Sequence, residues 1–184
     1  MNRLWLVRHG PVECEEGLCY GATDVRAVEV ASREIAARVA PLLPPTIDFY
    51  ASPLGRCAQL ALALEALRPE LQAQFDTRIA EMSFGDWEGR AWNDIPRAEF
   101  DSWLADFAAA PAGGNGENTH GFMNRVADAY DSWRASRQDA AWITHAGVIR
   151  AVLLLHQGVR RVERADQWPT RAIGMGEVVL IEAP

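Results

Sequence analysis

Short apolar runs alternate with longer stretches of helical spacing along this 184-residue chain, and that alternation constrains the fold more than any other feature. Residues 3–7 form an apolar run that stops at Arg8-His9-Gly10 and reads as a buried strand entering a loop. Residues 29–40 have helical spacing and end at Pro41. Residues 47–51 read as a second strand, and 54–67 as an alanine- and leucine-rich helix ended by Pro69. Residues 99–110 look helical, before a loop begins at Pro111. From Glu117 onward Phe122, Val126, Tyr130 and Trp133 mark one face of a long helix. Residues 141–144 form another strand, 148–156 a helix and 178–181 a final strand. The pattern predicts an α/β three-layer sandwich, its central sheet mostly parallel and flanked by helices on both faces. No repeat, low-complexity tract or linker interrupts it, so residues 1–184 are expected to form a single domain.

Composition narrows the classes of function. The net charge of −7 disfavours nucleic acid, whose binding needs a basic face. It also repels small anions at long range, so any phosphate pocket must be a local concentration of positive charge. No apolar run approaches the ~20 residues that cross a bilayer, so no membrane partner is expected. Arg3 is followed by only four apolar residues, which is not a signal-peptide layout, and a cytoplasmic location is expected. Cys14, Cys19 and Cys57 contain no CxxC pair and read as reduced bystanders. No HxxxH or HExxH spacing occurs, so neither a metal nor a cofactor is expected.

In a sheet of this kind ligands bind beyond the carboxyl ends of the strands. Three segments rich in chemistry fall there. A histidine placed like His9 is, taken alone, more often a structural hydrogen-bonder than a nucleophile, but Arg8 beside it favours the neutral, nucleophilic imidazole. Gly10 lets the backbone approach a ligand closely. Arg56 lies just inside a helix that begins near Pro53, where a guanidinium beside free N–H groups can clamp phosphate. By itself it reads equally well as a solvated surface arginine. His145 closes a strand, and the N–H groups of the helix opened by Ala146-Gly147 could add to an anion pocket. A fourth segment, Glu81-Met82-Ser83-Phe84-Gly85-Asp86-Trp87-Glu88-Gly89, is a loop rich in glycine and aromatics. Glu81, between apolar neighbours, could be desolvated enough to donate a proton near neutrality. Spacing alone leaves Glu88 as a rival for that role.

These four motifs, in this order, resemble those of the histidine phosphatase superfamily, which includes the cofactor-dependent phosphoglycerate mutases. The resemblance runs from Leu4 to about Trp168. It implies a phosphoglycerate mutase-like fold, with His9 as the phosphorylated nucleophile, Arg8, Arg56 and His145 as the phosphate pocket and Glu81 as the proton donor. Within the superfamily the likeness is greatest to the α-ribazole phosphatases of cobalamin biosynthesis. It rests on Cys19 to Asp24, Phe84 to Gly89, Gly113 to Glu117, Phe122, Arg125-Val126 and His145 to Arg150. Pro11, Leu60, Asn118 and the first helix depart from the usual pattern, none of them at the five catalytic positions.

The resemblance thus implies a metal-independent phosphomonoesterase acting on a small phosphorylated metabolite, with α-ribazole 5′-phosphate the named substrate. A broad sugar-phosphate or nucleotide phosphatase, a phosphoglycerate mutase and a non-catalytic phosphate-binding protein are the alternatives, in that order. Tyr20, Thr23, Ala146, Trp87 and Trp92 are further candidates for the substrate pocket, the aromatics as a wall for a benzimidazole-like base, with core packing expected of at least one of them. The sequence leaves a homodimer open.

Overall fold

The computed structural model describes residues 2–183. Five strands, β1 (Arg3–Arg8), β2 (Asp48–Ala51), β3 (Gln74–Phe75), β4 (Ala140–Thr144) and β5 (Val178–Glu182), form one sheet in the order β3-β2-β4-β1-β5. All neighbours pair in parallel except β1 and β5. The described residues form five α-helices besides short 3-10 turns: α1 (Glu29–Val39), α2 (Gly55–Leu67), α3 (Arg97–Ala105), α4 (Thr119–Ser136) and α5 (Ala146–His156).

Alternation along the central strands explains the three layers. Side chains two apart on a strand share a face. Leu4 and Leu6 of β1, with Trp142 of β4, join a core cluster that includes Phe122, Val126 and Tyr130 of α4 and Val148 and Val152 of α5. Trp5 and Val7, with Ala141 and Ile143, join the opposite cluster with Ile35 of α1 and Leu60 and Leu64 of α2. Both faces of β1 and β4 are therefore dry, as a parallel sheet covered on both sides requires.

The structure differs from the sequence expectation in three places. β3 pairs only Gln74 and Phe75 with Tyr50 and Ala51, and both its residues are exposed, so no apolar run marks it. α3 starts at Arg97, directly after Pro96, and stops at Ala105 because Asp106 leaves the helical region at φ −132°. The long helix begins at Thr119 rather than Glu117. Its cap is Asn118, whose side chain accepts the Gly121 N–H at 2.7 Å.

Candidate active site

The register of the sheet sets three motifs level. Arg8 faces Thr144 across β1–β4 and Ala51 faces Ile143 across β2–β4, so His9, Ser52 and His145 leave the same edge. His9 N–H donates to the Thr144 carbonyl at 3.0 Å, and Ser52 N–H to that of Ile143 at 2.9 Å, extending the ladder by one residue on each side.

His9 is buried, and its Nδ1 lies 2.8 Å from the Gly10 carbonyl oxygen. A carbonyl can only accept, so Nδ1 carries the proton and Nε2 keeps its lone pair. Burial pushes the imidazole pKa from 6.5 down to about 3; the Gly10 bond opposes this, while the charges of Arg56 and Arg8 add to it. His9 is thus a neutral imidazole near pH 7 with its remote nitrogen uncommitted. His145, at the start of α5, is fully buried, and its ring lies edge-on to that of His9 with centroids 5.2 Å apart. Its Nε2 is 2.8 Å from Ser52 Oγ and 3.4 Å from Cys57 Sγ. Burial first, then the neighbouring charges of Arg56, His9, Arg125 and Arg8, hold its pKa well below the ordinary value.

Arg56 is the second residue of α2 and fully buried, so it is not a solvated surface arginine. Its Nη1 and Nη2 donate to the carbonyls of Thr23 and Gly21 at 2.9 and 2.7 Å, and its guanidinium lies 5.3 Å from the Tyr20 ring centroid. Arg8 Nη1 donates to the Ile173 carbonyl at 2.5 Å. The Nε atoms of both arginines are buried and have no acceptor among the described residues. Two guanidinium charges acting on a neutral histidine suit an anion with several oxygens.

The two glutamates have separate fates. Glu81 Oε2 accepts the Gly147 N–H and Oε1 the Met82 N–H, both at 3.1 Å. The start of α5 therefore holds a side-chain carboxylate, where the sequence suggested a bound anion. Glu88 is fully occupied: Oε1 accepts from Ala22 N–H and Phe84 N–H, both at 2.8 Å, and Oε2 from Thr23 N–H at 2.5 Å and from the Thr23 hydroxyl. Burial alone would raise its pKa, but these bonds outweigh burial and hold it below the usual carboxylate value. Glu88 is thus a brace for the loop that seats Arg56, leaving Glu81 as the carboxylate at the start of α5.

Beside Glu81 opens a cavity of about 300 Å³, walled by Phe84, Trp103, Phe107, Phe122 and Trp168, with Thr119 and Arg150 at its polar points. Trp87, expected in the pocket wall, is placed elsewhere. It is buried, its indole N–H donates to Glu99 Oε2 at 2.9 Å, and it is not among the residues lining this cavity. The expected Trp92 is not among them either; it packs edge-on against Phe84, centroids 5.2 Å apart. Thr23 serves Arg56 through its carbonyl. Sequence reasoning missed Trp103, Phe107, Thr119 and Trp168, because the spacing of Trp103 and Phe107 reads as an ordinary helix face and nothing local marks the other two. It also missed Ser52, whose hydroxyl meets His145.

Fold and site together bring two buried histidines and two arginines to the carboxyl end of a parallel sheet. The profile of the histidine phosphatase superfamily (branch 1) matches residues 4–175, and the chain belongs to that superfamily, as a phosphoric monoester hydrolase. It is 28% identical over 165 residues, 86% of this chain and 80% of the relative, to a protein of Hydrogenobacter thermophilus named as a candidate phosphoserine phosphatase. It is 27% identical over 200 residues to the glucosyl-3-phosphoglycerate phosphatase of Mycolicibacterium vanbaalenii, covering 99% of this chain and 84% of that one. Among solved structures, a candidate α-ribazole-5′-P phosphatase from Escherichia coli superposes with a TM-score of 0.80 at 26% identity. That match covers 97% of this chain and 89% of the other. The five-stranded, mostly parallel sheet with its flanking helices is the phosphoglycerate mutase-like fold of these neighbours.

Proposed function

We propose that this chain hydrolyses a phosphate monoester through a phosphohistidine on His9. The observation that carries the reading is the state of His9 itself. Its Nδ1–H is tied to the Gly10 carbonyl, so Nε2 is the free nitrogen, burial keeps the ring neutral, and the charges of Arg56 and Arg8 act on it. Nε2 attacks phosphorus in line with the ester oxygen. Glu81, in its protonated form, gives its proton to the departing alkoxide. Arg8, Arg56 and His145 stabilise charge on the phosphoryl oxygens as it develops. Glu81, now a carboxylate, takes a proton from water, which attacks the phosphohistidine and releases inorganic phosphate. The balance is one water consumed and one alcohol and one phosphate produced.

α-Ribazole 5′-phosphate is the proposed substrate, in a cytoplasmic step of cobalamin biosynthesis. The aromatic cavity beside Glu81 supports it, since a planar base fits five aromatic walls better than does a small carboxylate. Alkali-quenched incubation with ³²P-labelled ester, without added metal and with a chelator present, tests the chemistry. Label should appear on an acid-labile, alkali-stable adduct in the wild type and be absent in His9→Ala. An unlabelled wild type that still releases phosphate would sink the covalent route. A panel of monoesters containing 3-phosphoglycerate and phosphoserine then tests the substrate. Equal rates on all would leave a generalist phosphatase, and transfer between positions of phosphoglycerate would mark a mutase.

A further inference from the structure

Six buried side-chain polar atoms of the described residues have no hydrogen-bond partner, and four of them belong to Arg8, Arg56, Trp103 and Thr119. Buried donors and acceptors in a folded chain are almost always paired. Two of these four belong to the arginines whose charges act on His9. The other two, Trp103 Nε1 and Thr119 Oγ1, belong to residues lining the aromatic cavity beside Glu81. Thr119 is only 1% exposed. Valine would fill the same space without leaving a hydroxyl unsatisfied, so packing gives no reason for threonine here.

We propose that Thr119 and Trp103 are specificity residues that hydrogen-bond the alcohol part of the substrate. An indole N–H can only donate, a hydroxyl donates or accepts, and the guanidinium of Arg150 on the same wall can only donate. The group they read is therefore rich in acceptors. The aromatic walls ask for it to be planar and largely apolar. The substrate class is a monoester whose alcohol carries a flat heteroaromatic ring with an acceptor on its edge, rather than a compact sugar or amino-acid phosphate. This inference rests on the phosphatase reading for its catalytic half and is independent of it for binding.

The test compares α-ribazole 5′-phosphate with ribose 5-phosphate, an ester that lacks the ring, on wild type, Thr119→Val and Trp103→Phe. Binding of free α-ribazole to the same three proteins is measured by calorimetry. Each variant should lower kcat/KM for the ring-bearing ester about 3- to 10-fold, the range of a single net hydrogen bond. Ribose 5-phosphate should stay within about twofold, and α-ribazole binding should weaken in parallel. Thr119→Val should also raise the melting midpoint by about 2–4 °C, since it removes an unsatisfied buried hydroxyl. A gain in stability together with a loss of discrimination is a pattern that a merely structural threonine does not produce. Equal losses on both esters would overturn the proposal, as would a wild type that ignores the ring. A wild type that binds α-ribazole through these residues yet hydrolyses neither ester would keep the pocket and overturn the phosphatase reading instead.

Discussion

Gly147 and Glu81 are fitted to each other: the Gly147 N–H donates to Glu81 Oε2 at 3.1 Å, and a side chain at position 147 would collide with the carboxylate it holds. The atoms it would strike are the far end of a flexible side chain, so alanine at 147 displaces Glu81 and not the backbone. Gly147→Ala should therefore fold normally, with a melting midpoint within about 2 °C of wild type. Its turnover of an alkyl phosphate should fall about 100-fold, within the range of a lost general acid. Formation of phosphoenzyme from p-nitrophenyl phosphate, whose leaving group needs no proton, should change far less. Equal loss on both esters in single-turnover measurements would mean that Glu81 is not the proton donor.

Acid should unfold this protein partly through His9. The folded-state pKa of about 3 lies below the unfolded 6.5, so the unfolded chain binds more protons between those values and stability falls as pH drops. The stability is fully present above pH 6.5 and is lost progressively toward pH 3. From pH 7 to pH 4 the unfolded histidine gains about 2.5 units of protonation free energy, on the order of 3 kcal/mol. Urea unfolding at the two pH values measures it. His9→Gln should show a drop shallower by about that amount; a drop as steep as wild type would place the cost in other groups. His145, held low for the same reason, contributes in the same direction.

Glu88 and Arg56 never touch, yet one sets the position of the other. The carboxylate collects the N–H groups of Ala22 and Thr23, and the carbonyls of Gly21 and Thr23 seat both Nη atoms of the arginine. Glu88→Gln places an amide NH₂ donor against N–H donors and loosens that turn. Inhibition by inorganic phosphate should weaken about 10-fold, with kcat/KM falling by a similar factor, on the scale of one charge-assisted hydrogen bond. Unchanged phosphate affinity would show that Arg56 keeps its seat without Glu88.

Legibility in the sequence followed the regularity of the structure. β1 and β4 announce themselves because both of their faces are buried and their central residues are apolar, and the motifs at their ends inherit that clarity. β3 is invisible, since two exposed residues carry no period. Glu81 and Glu88 sit in an irregular loop, where spacing says nothing about direction. Only the folded loop shows one facing Gly147 and the other enclosed by Ala22, Thr23 and Phe84. By sequence the aromatic wall falls to Tyr20, Trp87 and Trp92, which lie in or near the motifs. The walls come instead from Trp103, Phe122 and Trp168, which the sequence separates by tens of residues and only tertiary packing joins.

Arg125 carries the last prediction. Its Nε and Nη2 grip Glu117 at 2.7 and 2.8 Å, while Nη1 donates to the carbonyls of Arg78 and Ala80 and Nη2 to that of Glu81. One guanidinium thus ties α4 to the segment that carries Glu81, the proposed proton donor, and lysine cannot reproduce its planar fork. Arg125→Lys strands several half-buried carbonyls and weakens a two-pronged ion pair, a loss of about 2–3 kcal/mol. For a chain of this length that is a fall of roughly 4–10 °C in the melting midpoint. Because the strands and His9 lie outside this network, phosphoenzyme formation from p-nitrophenyl phosphate at 25 °C should stay within about threefold of wild type. Alkyl phosphate turnover should drop further as the backbone of Glu81 loosens. Calorimetric melting with single-turnover labelling of the same preparation checks both halves, and a stable variant with full alkyl phosphatase activity would show that Glu117 and the helix hold the segment without the arginine.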